Sequence, residues 1–129
     1  MTNCRLTDPE FERGVKDFLV VCNVVKVFRH TRILQIAPRP FDFWSTMCNE
    51  GELLEKFNIQ LSPIPLPELT AQVKQAKEEG TEVKAVMDYC KEKMNVCVTE
   101  EQLENVAALK VAMRRLADQY GCNAVAIQC

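Results

Sequence analysis

The chain has 129 residues, of which 47% are hydrophobic and 26% carry charge, and its formal net charge is −2. This length and composition are those of a single globular domain, residues 1–129, with enough apolar side chains for one core. The nearly balanced charge, without a basic block, excludes neither enzymes nor binding modules but argues against a nucleic-acid partner or an anionic membrane partner.

The sequence shows neither a membrane-spanning run nor a secretory signal peptide. The longest apolar run, residues 18–28, contains Asn23 and Lys26 and is too short to cross a bilayer. The first ten residues lack the charged-then-apolar layout of a secretory signal peptide. We therefore expect a cytoplasmic protein.

Its seven scattered cysteines form no C-x-x-C pair, so we expect buried, reduced thiols rather than a zinc or redox site.

The first predicted element is a long helix. Asp8 and Pro9 supply an N-cap and a first-turn proline, and apolar residues recur at helical spacing to about Arg29. Because these residues occupy more than one side, the helix is expected to be covered on more than one side. The segment 31–37 ("TRILQIA") then reads as a short buried strand that Pro38 ends, since proline cannot donate to the ladder.

Helical periodicity returns from about residue 41 to residue 57, where four apolar residues form one stripe. Glu50 falls in the middle of this stripe, and a carboxylate there needs either an internal basic partner or an aqueous cleft. The stripe consists of Phe43, Met47, Leu54 and Phe57.

The second half of the chain continues the alternation. We predict a strand at 58–64, a helix ending at Gly80, a further helix after Thr81, and a helix that opens with the capping box Thr99–Gln102 and runs to Gly121. The chain then closes with a third strand, "NAVAIQC", residues 123–129. This order favours an α/β fold: a three-layer, Rossmann- or flavodoxin-like parallel sheet with helices on both faces. Since only three strands are found, the sheet is expected to be incomplete.

The clearest candidate for ligand binding is the loop after the first strand. Pro38 and Pro40 restrict the backbone around Arg39. They hold this guanidinium at the carboxyl end of a parallel strand, where ligands bind in open α/β sheets. The loop can equally be a strand stop with a solvated arginine. Trp44 is either a core or interface anchor or a stacking platform for a sugar. No phosphate-binding glycine loop, nucleophile arrangement or metal-ligand set is found, so we assign no catalytic and no metal-binding residue.

The run "LQIAPRPFDFWSTMCNEGELLEKFNIQLSPI" resembles the middle domain of the L-fucose isomerase and related fucose/arabinose sugar isomerase family. In that family a glycine usually stands at the position that Asn58 occupies here. The closing "NAVAIQC" resembles the family strand that ends in Q-C-W. The matching positions are Arg39-Pro40, Phe43-Trp44, the block from Asn49 to Phe57, and Ile59.

The resemblance implies an aldose–ketose isomerase that moves a proton between C1 and C2 through an enediol. It implies Mn²⁺ for the complete enzyme, with ligands beyond the end of this sequence, so the chain alone is expected to hold no cofactor and to be inactive. Gln128 matches the Q-C-W glutamine and is expected, with Arg39, Trp44 and Glu50, to contact the sugar substrate. A homo-oligomer is expected. The alternative is a standalone α/β binding or oligomerisation module without catalysis.

Overall fold

The structure is a computed structural model that describes residues 4–128. Five α-helices, one 3-10 turn and three strands follow one another along this range. Their bounds are α1 Pro9–Phe28, β1 Arg32–Ile36, the 3-10 turn Trp44–Thr46, α2 Glu50–Phe57, β2 Gln60–Ile64, α3 Leu66–Glu79, α4 Thr81–Lys93, α5 Glu100–Gln119 and β3 Ala124–Ile127.

The three strands form one parallel sheet in the order β2-β1-β3, flanked by helices, which confirms the predicted α/β class. β1 pairs with β3 in register from Ile33 opposite Ala124 to Ile36 opposite Ile127. Successive side chains of β1 alternate between the two faces, and Leu34 and Ile36 are fully buried. The end of the third predicted strand, Cys129, lies outside the described residues.

The core lies where α3 and α5 pack on the β1 and β2 side chains. The alanines of α5 allow close approach, since a methyl group leaves room for a facing helix, and a second small cluster joins α3, α4 and α5. Burial of each large aliphatic side chain contributes about 1.5–3 kcal/mol. The main cluster consists of Leu34, Ile36, Ile64, Leu69, Ala112, Leu116, Ala117 and Cys122.

Local signals in the sequence explain several helix ends. Thr99 and Gln102 form the predicted capping box of α5, with each side chain bonded to the other residue's backbone N–H. Gly80 ends α3 in the left-handed conformation at φ 70°. Asn58 does the same for α2 at φ 55°, because asparagine tolerates this region better than most residues.

The chain divides into two compact units, Met1–Thr31 with Asn49–Gln60 and Arg32–Cys48 with Leu61–Cys129. In the first unit, the rings of Phe28 and Phe57 meet edge to face with centroids 5.8 Å apart. The Asn58 amide donates to the carbonyl oxygen of Arg29 at 2.8 Å. The ring of His30 hydrogen-bonds the Lys26 carbonyl at 2.7 Å, so this imidazole satisfies the end of α1.

Three expectations about these elements are wrong. No residue of α1 is buried, although its apolar pattern predicts cover on more than one side. The helix predicted from residue 41 begins only at Glu50, because the Asn49 side chain accepts the Glu52 N–H and caps the helix there. Three of the cysteines described, Cys22, Cys48 and Cys97, are exposed rather than buried.

No helix of the described range is long and apolar enough to cross a membrane.

Candidate ligand cleft at the carboxyl edge of the sheet

A cleft of about 300 Å³ lies at the carboxyl ends of β1 and β3. Its walls are residues 37–40 after β1, the side chains of Phe43 and Thr46 from the following loop, and residues 126–128 of the β3 end. In the order β2-β1-β3, the chain passes from β1 to a neighbour on one side and later returns to the other side. The cleft therefore opens at the topological switch point, where ligands bind in open α/β sheets.

Ala37 turns the chain out of the sheet into the cleft wall. It is buried, with 5% exposure, and has a φ of 66°. For an L-residue with a Cβ, this left-handed conformation costs about 1–2 kcal/mol. Its N–H donates to the Ile64 carbonyl at 2.9 Å, which holds the strained residue against β2. Backbone strain of this kind clusters at functional sites, and no local sequence pattern indicates it.

Arg39 follows directly and is held by its own loop. Its Nη1 donates to the carbonyl oxygens of Pro40 at 3.2 Å and Phe41 at 3.1 Å. The guanidinium carbon lies 4.6 Å from the ring centroid of Trp44, a cation–π distance. The guanidinium is therefore preorganised. Within the described residues it makes no ion pair, so its positive charge is not neutralised by the loop that positions it.

Trp44 orients Arg39 rather than entering the core. The indole is 64% exposed and meets the ring of Phe41 at a centroid distance of 6.3 Å. The structure thus places Trp44 behind Arg39, at the edge of the cleft. Phe43 and Thr46 do line the cleft. The sequence does not predict this, because the apolar periodicity assigns both residues to a helix.

Gln128 forms the opposite wall. Its backbone N–H donates to the Ile36 carbonyl at 3.2 Å and so prolongs the β1–β3 ladder by one residue. The exposed side chain carries an amide that can both donate and accept hydrogen bonds. Two candidates that are far apart in the sequence, Arg39 and Gln128, thereby line one cleft.

Glu50 is not among the residues that line the cleft, and its contact with a sugar stays a prediction. It is the exposed first residue of α2, in the other compact unit, and no described residue forms an ion pair with it. Its predicted place in the middle of an apolar stripe is wrong, since Phe43 and Met47 precede the helix. A carboxylate in the first turn of a helix is favoured by the helix dipole.

The described residues do not fit a manganese ion. Mn²⁺ prefers carboxylate and imidazole ligands. The cleft offers amide, hydroxyl and guanidinium groups, and the guanidinium repels a cation. Nowhere in the range 4–128 do three or more His, Cys, Asp or Glu side chains come together as a metal site.

The residues with shifted pKa values lie on α3, on α5 and at the C-terminal end of α5 rather than in the cleft. The hydrogen bond from Arg115 lowers the pKa of Glu79, at an Nη2–Oε2 distance of 2.6 Å. The hydrogen bond to Glu68 raises the pKa of Tyr120. These contacts join α3 to α5 and its C-terminal end, so they stabilise the scaffold rather than mark chemistry at the cleft.

Comparison of the chain with protein-family models and with curated protein sequences finds no match. The candidate site therefore rests on the position of the cleft in the fold and on the side chains that line it.

Proposed function

We propose that the chain is the substrate-binding α/β domain of an aldose–ketose isomerase of the fucose/arabinose isomerase type. The cleft at the switch point would hold part of the sugar. The observation that carries the proposal is the cleft itself: the loop resembling the family block and the strand end resembling the Q-C-W position form its two walls.

The residues of the cleft suit a polyol. Arg39 would donate hydrogen bonds to sugar hydroxyls from the guanidinium nitrogens that its loop carbonyls leave available. Gln128 would donate to one hydroxyl and accept from another, and Phe43 would cover an apolar face of the sugar. Trp44 would act as a positioning residue, since it contacts the guanidinium rather than the cleft.

The described lining residues of this cleft carry no carboxylate and no imidazole, so they do not supply Mn²⁺ ligands or the groups that move the proton between C1 and C2. We therefore assign binding and orientation of the sugar to these residues, and no chemical step. In this proposal the complete enzyme is a homo-oligomer that uses Mn²⁺, and its metal ligands come from residues other than those of the described cleft.

Sugar binding can be tested by amide NMR with L-fucose and L-arabinose as probes. Trp44 is the single tryptophan and contacts the Arg39 guanidinium, so its indole N–H is an isolated reporter next to a cleft residue. We expect this signal and the Gln128 side-chain amide to shift together, with a roughly millimolar dissociation constant. Arg39→Gln should weaken binding about tenfold or more, since a hydrogen bond to a charged group contributes about 1.5–3 kcal/mol.

Arg13→Gln is the matched control. Arg13 is an exposed arginine of α1 and does not line the cleft, so the substitution removes the same charge and should leave the titration unchanged. Absence of any shift at the cleft, or equal effects of the two substitutions, would contradict a sugar site at Arg39.

The alternative, a binding or assembly module without catalysis, is favoured by one observation: α1 leaves a large apolar surface uncovered. Isomerase assays with L-fucose and MnCl₂ test whether this chain alone catalyses the reaction. Turnover by this chain alone would contradict a cleft that lacks metal ligands.

A further inference from the structure

The apolar surface of α1 is the largest feature that the sugar cleft leaves unexplained. A helix that is apolar on several sides is normally covered. Contiguous apolar patches that are exposed on a protein surface often mark interaction sites. Nine large apolar side chains of α1 are at least 37% exposed: Val15, Phe18, Leu19, Val20, Val21, Val24, Val25, Val27 and Phe28.

One stripe of α1 has the spacing of a helix-pairing surface. Phe11, Val15, Phe18, Cys22 and Val25 follow one another at intervals of four, three, four and three residues, the spacing of a and d positions in a coiled coil. A groove of about 420 Å³ lies along the N-terminal part of this stripe, with Phe11 and Val15 among its lining residues. This spacing suits another helix as the occupant, because a and d side chains pack into the gaps of a facing helix.

The charges beside the stripe determine the orientation of that helix. Glu12, Leu19 and Lys26 occupy one flank, the e positions of the repeat. The other flank has Gly14, Val21 and Phe28. In an antiparallel pair, equivalent flanks face each other, so Glu12 would meet Lys26 of the partner subunit, and the reverse. A parallel pair would place these charges against the uncharged flank instead.

We propose that α1 pairs antiparallel with α1 of a second copy of this chain. Val15 packs against Val25 of the partner subunit, and Phe18 packs against Cys22 of the partner subunit. Glu12 already forms an ion pair with Lys16 at 2.7 Å. Because both side chains are exposed, Glu12 can leave Lys16 for Lys26 of the partner subunit at little cost in free energy. The opposite side of α1 is less suited to burial, because Arg13 lies in line with Val20, Val24 and Val27. The proposal does not depend on sugar binding.

Charge reversal tests the pairing without touching the apolar stripe. Analytical ultracentrifugation should show a dimer for the unmodified chain. Glu12→Lys and Lys26→Glu should each weaken dimerisation about tenfold, because two pairs per dimer become repulsive. The double variant Glu12→Lys/Lys26→Glu should restore the dimer. Both side chains are exposed, so folding is not at risk. A monomer at all concentrations, or a dimer that ignores these reversals, would overturn the proposal.

Disulfide cross-linking tests the orientation. The background variant keeps Cys22 and the buried Cys122 and replaces Cys4, Cys48, Cys90, Cys97 and Cys129 by serine. In this background Phe18→Cys should give a covalent dimer on oxidation, through Cys22 of the partner subunit. The control Val20→Cys, on the opposite side of α1, should give none beyond the background level. Efficient cross-linking of the background variant through Cys22 alone would indicate a parallel pair and overturn the proposal.

Discussion

Ala37 offers a direct measurement of the strain at the cleft. Replacing it by glycine removes a Cβ from a residue at φ 66°, which relieves about 1–2 kcal/mol of left-handed strain. Two effects oppose this gain. The methyl group is buried, so its loss costs about 0.8 kcal/mol, and the freedom of glycine in the unfolded chain costs about 0.5–1 kcal/mol. The net change in the free energy of unfolding should be near zero.

Ala112→Gly is the matched control. Ala112 is also buried, with 0% exposure, but lies within α5. Glycine there loses the same methyl contact, about 0.8 kcal/mol, and about 1 kcal/mol of helix propensity, with no strain to relieve. We expect this variant to lose about 2 kcal/mol.

Urea unfolding followed by circular dichroism measures both variants. With a slope of about 1–3 kcal/mol per molar urea for a small protein, the two midpoints should differ by about 1 M. Equal losses for Ala37→Gly and Ala112→Gly would refute strain at Ala37. Ala37→Val should be the most destabilising of the three, because a β-branched residue is strongly disfavoured at positive φ.

Three further predictions concern the scaffold. Thr99→Ala should lower the free energy of unfolding by about 1 kcal/mol through loss of the capping box, and Thr99→Ser should retain most of it. Asn58→Ala should cost about 1 kcal/mol or more in urea unfolding, whereas Asn58→Gly should cost less, because glycine accepts φ 55° without strain. The hydrogen bond from Tyr120 to Glu68, 2.6 Å long, raises the pKa of Tyr120. Its stabilisation should therefore be complete below the ordinary tyrosine pKa and disappear as pH rises through the raised value. The variant Tyr89→Phe leaves Tyr120 as the single tyrosine, so its alkaline absorbance titration reports the pKa of Tyr120. In this background Glu68→Gln should lower that pKa. An unchanged pKa would show that the hydrogen bond to Glu68 is not the cause of the shift.

Much of the fold could be predicted from the sequence because its signals are local. The alternation of periodicities predicted the α/β class, and the first two strands lie within two residues of their predicted ends. Thr99 with Gln102 predicted the start of α5. Each of these signals acts over three or four residues, so it can be recognised from the amino-acid sequence alone.

The start of α2 shows how periodicity fails. Apolar spacing from Phe43 to Phe57 fits a helix, but the Asn49 cap at 3.1 Å and the turn around Trp44 end that pattern before Glu50. The same competition misplaced Glu50 in an apolar stripe. In α1, spacing predicted the helix correctly, but not the lack of cover, because cover depends on what packs against a helix rather than on its own residues.

By itself, the sequence determined that Arg39 follows a strand between two prolines and that Gln128 ends another strand. Only the tertiary structure decided that they share a cleft, because the parallel pairing of β1 with β3 joins segments from opposite ends of the chain. It also decided that Trp44 holds the guanidinium and that Ala37 turns the backbone under strain. These features arise from long-range hydrogen bonds and packing, which no local pattern encodes.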